Sequence, residues 1–170
     1  MKNIVMILVM ILLSTGFALS QQQYESSDLV LYQTAIKAIK DRNFVFRANT
    51  YDDGHHLYSV DPKRNFIILE DDKVTIQIYE SAQNSFAAEF SPSNFKMKMN
   101  KSGDVNFEML CKNKGNSLKI KITVEKGSGK CIVRGVPINF HSSFVLMGEL
   151  SEYNVSDLIR TSILQIFQLN

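Results

Sequence analysis

The chain has 170 residues, of which 45% are hydrophobic and 21% charged, with a formal net charge of +2, two cysteines and no tryptophan. That length fits one domain with room for a full core, and a balance so near neutrality gives no bulk reason to expect a nucleic-acid partner. No internal repeat, low-complexity tract or proline-rich linker divides the sequence.

Residues 1–20 place one lysine ahead of the apolar run Ile4 to Leu13, followed by small or polar residues up to Ala18-Leu19-Ser20. This is the order of a cleaved secretory signal. The run falls short of the about 20 residues that a membrane span needs, and no stop-transfer charge follows it. No cysteine sits at the cleavage point to take a lipid. The expectation is a secreted or periplasmic chain cut near Ser20, with no membrane anchor after cleavage and no lipoprotein character. Loss of Lys2 would lower the stated +2 to +1. Residues 21–27 are polar and expected to be disordered, and residues 28–170 form a single β domain.

From Asp28, Leu29, Tyr32, Ile36 and Ile39 recur at helical spacing, with Gln33, Lys37 and Lys40 on the other face. An amphipathic helix over 28–41 follows. The period then drops to two. Phe44, Phe46 and Ala48 alternate with Val45, Arg47 and Asn49; Val74, Ile76 and Ile78 with Thr75, Gln77 and Tyr79; Met97 and Met99 with Lys96 and Lys98; Val105, Phe107, Met109 and Cys111 with Asn106 and Glu108; and Leu118, Ile120, Ile122 and Val124 with Lys119, Lys121 and Thr123. Such segments are half-buried strands. Short turn signals separate them at Glu70-Asp71-Asp72, Lys101 to Asp104, Asn113 to Asn116 and Gly127-Ser128-Gly129, and connections that short join antiparallel neighbours. A mainly β, antiparallel meander of about eight to ten strands results, closed or nearly closed as a barrel, or else a sandwich. Phe144 to Leu150 reads as the last strand. Val155, Leu158, Ile159, Ile163 and Ile166 make a broad helical stripe that predicts a C-terminal helix over 155–168, although Ile163 to Phe167 could equally form a strand.

One stretch invites a metal or acid-base reading: YDDGHHLY, residues 51–58. His55 and His56 are adjacent, and adjacent side chains of a strand point to opposite faces, so both cannot hold one ion in regular geometry. The expectation is a hairpin turn at Asp53-Gly54 joining strands 43–51 and 55–60, and no metal. His141 with Ser142 and Ser143 lacks any strained turn to present a nucleophile, and no phosphate loop, CxxC pair or His-Glu-x-x-His run occurs. No catalytic residue and no cofactor are assigned. Lys96, Lys98, Lys119 and Lys121 alternate with apolar residues and mark a solvated sheet face. Cys111 ends one strand beside its turn and should face Leu118, whereas Cys131 begins a strand opposite roughly Glu125. About seven residues, on the order of 23 Å, then separate the two levels, so free buried thiols are expected in preference to a disulfide.

Several segments together, TAIKAIKDRNFVFRANTYDDGHHLYSVDPKRNFIILEDDKVTIQIYE, SNFKMKMNKSGDVNFEML, LKIKITVEKGSGKCIV and GELSEYNVSDLI, resemble the family called domain of unknown function 4251, secreted proteins of Bacteroidetes, over about residues 30 to 158. The resemblance implies a lipocalin-like barrel or half-barrel and an exported location, and supplies no catalytic residues. The sequence departs from the family pattern at 81–95, SAQNSFAAEFSPSNF, which has no glycine where such proteins usually carry a glycine-rich stretch.

The function expected from these features is an exported, non-catalytic binding module. Met97, Met99, Phe107 and Met109 share one strand face and are the candidate lining of a site for a small apolar ligand, because methionine adapts to irregular apolar guests. The alternative is a periplasmic structural or interaction protein that docks on a partner through an apolar patch or a sheet edge. An unfilled barrel interior with a mouth would favour the first, a filled core with an exposed patch or free edge the second.

Overall fold

The computed structural model describes residues 27–79, 85–138 and 143–160. Helix α1 spans residues 27–41, one residue earlier than the period predicts. Nine strands follow: β1 Phe44–Asp52, β2 Leu57–Ser59, β3 Phe66–Glu70, β4 Lys73–Tyr79, β5 Ser85–Met99, β6 Val105–Asn113, β7 Asn116–Val124, β8 Cys131–Pro137 and β9 Phe144–Glu152. All neighbours are antiparallel, and β1 pairs with β9 from Phe44↔Glu152 to Asp52↔Val145. That seam closes eight strands into a barrel, while β2 is an extra strand paired with the end of β1.

Alternation sends every second side chain inward, and the inward set is large and branched. Phe44, Phe46, Ile67, Leu69, Ile76, Met109, Ile120, Ile122 and Leu146 are fully buried in one cluster. An eight-stranded barrel is just wide enough for its own side chains to fill. The helix covers one end. Tyr32, Ala35, Ala38 and Ile39 join the core cluster, the Tyr32 hydroxyl donates to the Gly103 carbonyl in the β5–β6 turn, and Lys37 pairs with Glu152 at the end of β9. The small side chains of Ala35 and Ala38 let the helix approach the sheet; of the apolar face predicted from Leu29, Tyr32, Ile36 and Ile39, the helix buries Tyr32 and Ile39, half-buries Ile36 and leaves Leu29 48% exposed.

Three expectations need correction. The C-terminal stripe does not form a helix over residues 155–160, which run as a strap outside the barrel; residues 161–168 of that expectation lie outside the described residues. Tyr153, Val155 and Leu158 pack on the outward residues Val45, Phe66 and Ile68. Buried Gln77 donates to the carbonyls of Arg64 and Ile159 at 2.9 and 2.8 Å, and the Ile159 amide donates to Lys63 at 2.8 Å. The apolar spacing of the strap therefore reflects packing on a second, exterior cluster. The strand marked in the sequence by Met97 and Met99 alone starts at Ser85 and runs for 15 residues. From Ser85 it runs on through the glycine-free segment, with Asn94 at φ +54° where the register with β6 slips between Ser93 and Lys96. The strands around the first hairpin end at Asp52 and restart at Leu57, not 51 and 55. The signal-like segment 1–20, the polar residues 21–26 and His141 lie outside the described residues.

Candidate functional site

The four residues proposed as an apolar lining do share the inward face of β5 and β6, because Met97 lies opposite Phe107 and Met99 opposite Val105. Their depths differ. Phe107 and Met109 are 3% and 1% exposed and belong to the packed core. The Phe107 ring is held edge-on by Phe44 at 6.3 Å and stacked on Phe95 at 5.9 Å, with the Arg42 guanidinium lying 4.1 Å from the centre of the Phe95 ring. Met97 and Met99 stand at the rim, 38% and 65% exposed.

The rim is open because neighbouring strands differ in length. Pairing of β5 with β4 stops at Phe90↔Val74, one residue from the start of β4 at Lys73. Among the described residues, Ser91 to Met99 pair only with β6. The Asn100 amide donates to Asp104 at 2.9 Å, toward β6. Since backbone groups alternate in direction along an antiparallel strand, Lys98 and Lys96 also point toward β6, and the N–H and C=O groups of Met97 and Met99 point outward along a free edge. Pro92, which has no N–H to offer, occupies this half-paired part of the strand, where proline is tolerated.

The other chemical candidates are engaged locally. Asp53 Oδ1 accepts the backbone N–H groups of His55 and His56 at 2.8 and 2.7 Å, and its Oδ2 accepts the Tyr58 hydroxyl at 3.1 Å. These bonds, the His56 amide first, hold its carboxyl below the ordinary aspartate range. Gly54, at φ +89°, carries the chain through the turn. Residues 51–58 are thus a capped hairpin. Among the described residues, no group of three His, Cys, Asp or Glu side chains is placed to hold a metal. Cys111 and Cys131 are free and buried. Cys111 faces Leu118 and Cys131 faces Val124, and burial pushes both thiols up to about 12, so they are poor nucleophiles at neutral pH.

Alternation along the chain did not reveal the cation cluster on the outside of the same sheet. Register aligns Lys96, Glu108, Lys121 and Arg134 in one row across β5 to β8. The signal lay in the two lysine pairs Lys96/Lys98 and Lys119/Lys121, which only a strand-to-strand alignment could bring together.

The described residues form a closed eight-stranded antiparallel barrel with one extra strand, its inward side chains buried and one end covered by an N-terminal helix. The chain belongs to the DUF4251 family, whose model, described as a domain of unknown function, matches residues 27–149. It is similar to the crystal structure of a DUF4251 family protein from Bacteroides eggerthii DSM 20697 at 1.95 Å resolution, with a TM-score of 0.66 and 23% identity, covering 75% of this chain and 91% of that chain. At that identity the likeness carries the fold alone. No curated protein matches.

Proposed function

We propose that the protein is an exported, non-catalytic binding module that docks an extended segment of a partner protein along the free edge of β5. The run Ser91 to Met99, which among the described residues pairs on its β6 side alone, carries this reading. An open edge with exposed side chains is a template for strand addition, with main-chain hydrogen bonds supplying affinity and alternate side chains supplying selectivity. Met97 and Met99 lie on one side of the edge, Lys96 and Lys98 on the other. An incoming strand would match them with apolar residues on its inner face and carboxylates on its outer face. The filled interior weighs against enclosure of a small apolar guest, and Phe107 and Met109 then serve the core while the rim methionines make contact. Export rests on residues 1–20 as a sequence signal.

The test places a photo-crosslinking amino acid at position 97 or 99 in the cells that make the protein. The expected result is one partner captured from both positions. Met97→Pro should abolish capture from position 99 and leave the fold intact, because the N–H it removes points away from β6. Lys98→Pro, which breaks the β6 ladder, should cost roughly 1–3 kcal/mol of stability. Recovery of a stoichiometric apolar molecule on solvent extraction, with no crosslink, would replace docking by ligand enclosure. Capture of a second copy of this chain would replace the partner by self-association.

A further inference from the structure

We propose that the outward face of β5 to β8 binds the anionic phospholipid headgroups of a bilayer. This surface shares Lys96 and Lys98 with the β5 edge but extends beyond it across β6, β7 and β8, and it stands whether or not a strand docks there. Register places Lys96, Lys98, Lys112, Lys119, Lys121 and Arg134 on it. Across the outward face of β5 to β8 the carboxylates are Glu108 and, at its edge, Glu89, which pairs with Lys73 of β4. Six cations less two carboxylates make +4 in a chain whose net is +2, so the rest of the chain carries −2. The charge is segregated rather than merely positive. With strands about 4.8 Å apart and alternate residues about 6.8 Å apart, the cations occupy roughly 14 by 20 Å.

Lys119 pairs with Glu108 at 3.0 Å, and that hydrogen bond first, then the charges of Lys119, Lys121 and Lys96, hold the Glu108 carboxyl below the ordinary glutamate range. The remaining cations exceed what one carboxylate can neutralise.

Three features select a bilayer over other anions. Five of the six cations are lysines, point charges on flexible stems that suit a diffuse anionic surface better than a site needing bidentate forks. None of the outward residues on these strands is aromatic, whereas single-stranded nucleic acid needs faces on which bases stack. Beside Arg134, Val136 on β8 and Ile138 just past its end are 48% and 59% exposed. Apolar carbon among cations is the composition that enters a headgroup region while lysines meet phosphates.

The purified protein is mixed with vesicles of phosphatidylcholine alone or doped with phosphatidylglycerol, and bound protein is measured by co-sedimentation. Binding should require the anionic lipid and weaken as salt rises. The Lys112→Gln/Lys121→Gln/Arg134→Gln variant should lose on the order of 100-fold in affinity at about fivefold per cation. The equally discharged Lys40→Gln/Lys63→Gln/Lys130→Gln variant should retain wild-type binding. None of these six positions lies on the β5 edge, so loss of strand docking and loss of lipid binding are read separately. Equal losses in both variants would reduce the effect to net charge and overturn the proposal. Binding to single-stranded DNA at physiological salt with no vesicle binding would also overturn it.

Discussion

Gly148→Ala is expected to lower stability by at least about 3 kcal/mol, and the melting temperature by roughly 6–12 °C for a domain of this size. Gly148 sits on β9 opposite Ala48, at the seam where β1 and β9 close the barrel and where the β1 register slips between Ala48 and Thr50. A Cβ added there would stand 1.9 Å from the Arg47 carbonyl oxygen and 2.9 Å from the Ala48 Cα. Both atoms are backbone, so no side-chain rotation relieves the contact and the two seam strands must separate. Gly127→Ala is the control, because nothing lies within 4 Å of its Cβ position. Thermal denaturation followed by circular dichroism checks the pair, and a Gly148→Ala protein that melts with the wild type would mean the seam is looser than described.

Phe107→Ala should cost roughly 3–5 kcal/mol, the range for removing a buried aromatic ring and leaving a cavity. The ring touches Phe44 and Phe95 and lies between Met97 and Ile122 on the neighbouring strands. Met99→Ala should cost less than about 0.5 kcal/mol, as at other exposed positions, since Met99 is 65% exposed. Urea denaturation of both variants measures the contrast. Equal and small losses would mean that Phe107 lines a space rather than filling it, which returns weight to the apolar-ligand reading.

Much of the fold was legible because the signals were local. Tyr32, Ile36 and Ile39 announce one helical face, and the alternation of Val105 to Cys111 and Leu118 to Val124 announces two half-buried strands joined by a two-residue turn at Lys114-Gly115. That turn also fixed Cys111 opposite Leu118, and Cys131 fell one residue from its expected partner. Alternation states which face a side chain takes but not how deep it lies. Met97 and Met109 therefore looked equivalent, and it is because β4 begins no earlier than Lys73 that Met97 stands at an open rim. Val155 and Leu158 carried a true burial signal, but the surface that buries them is the outside of β1 and β3, a contact from the far end of the sequence. The cation face was hidden for a related reason, since Lys96 and Lys121 meet only through the register of two hairpins.

Amide hydrogen exchange along β5, resolved residue by residue by NMR, tests the free edge most directly. The amides of Lys96 and Lys98 point toward β6 and should be protected, while those of Met97 and Met99 should exchange at rates near those of open chain. Uniform protection of Lys96 through Met99 would show the edge already covered and would contradict docking there.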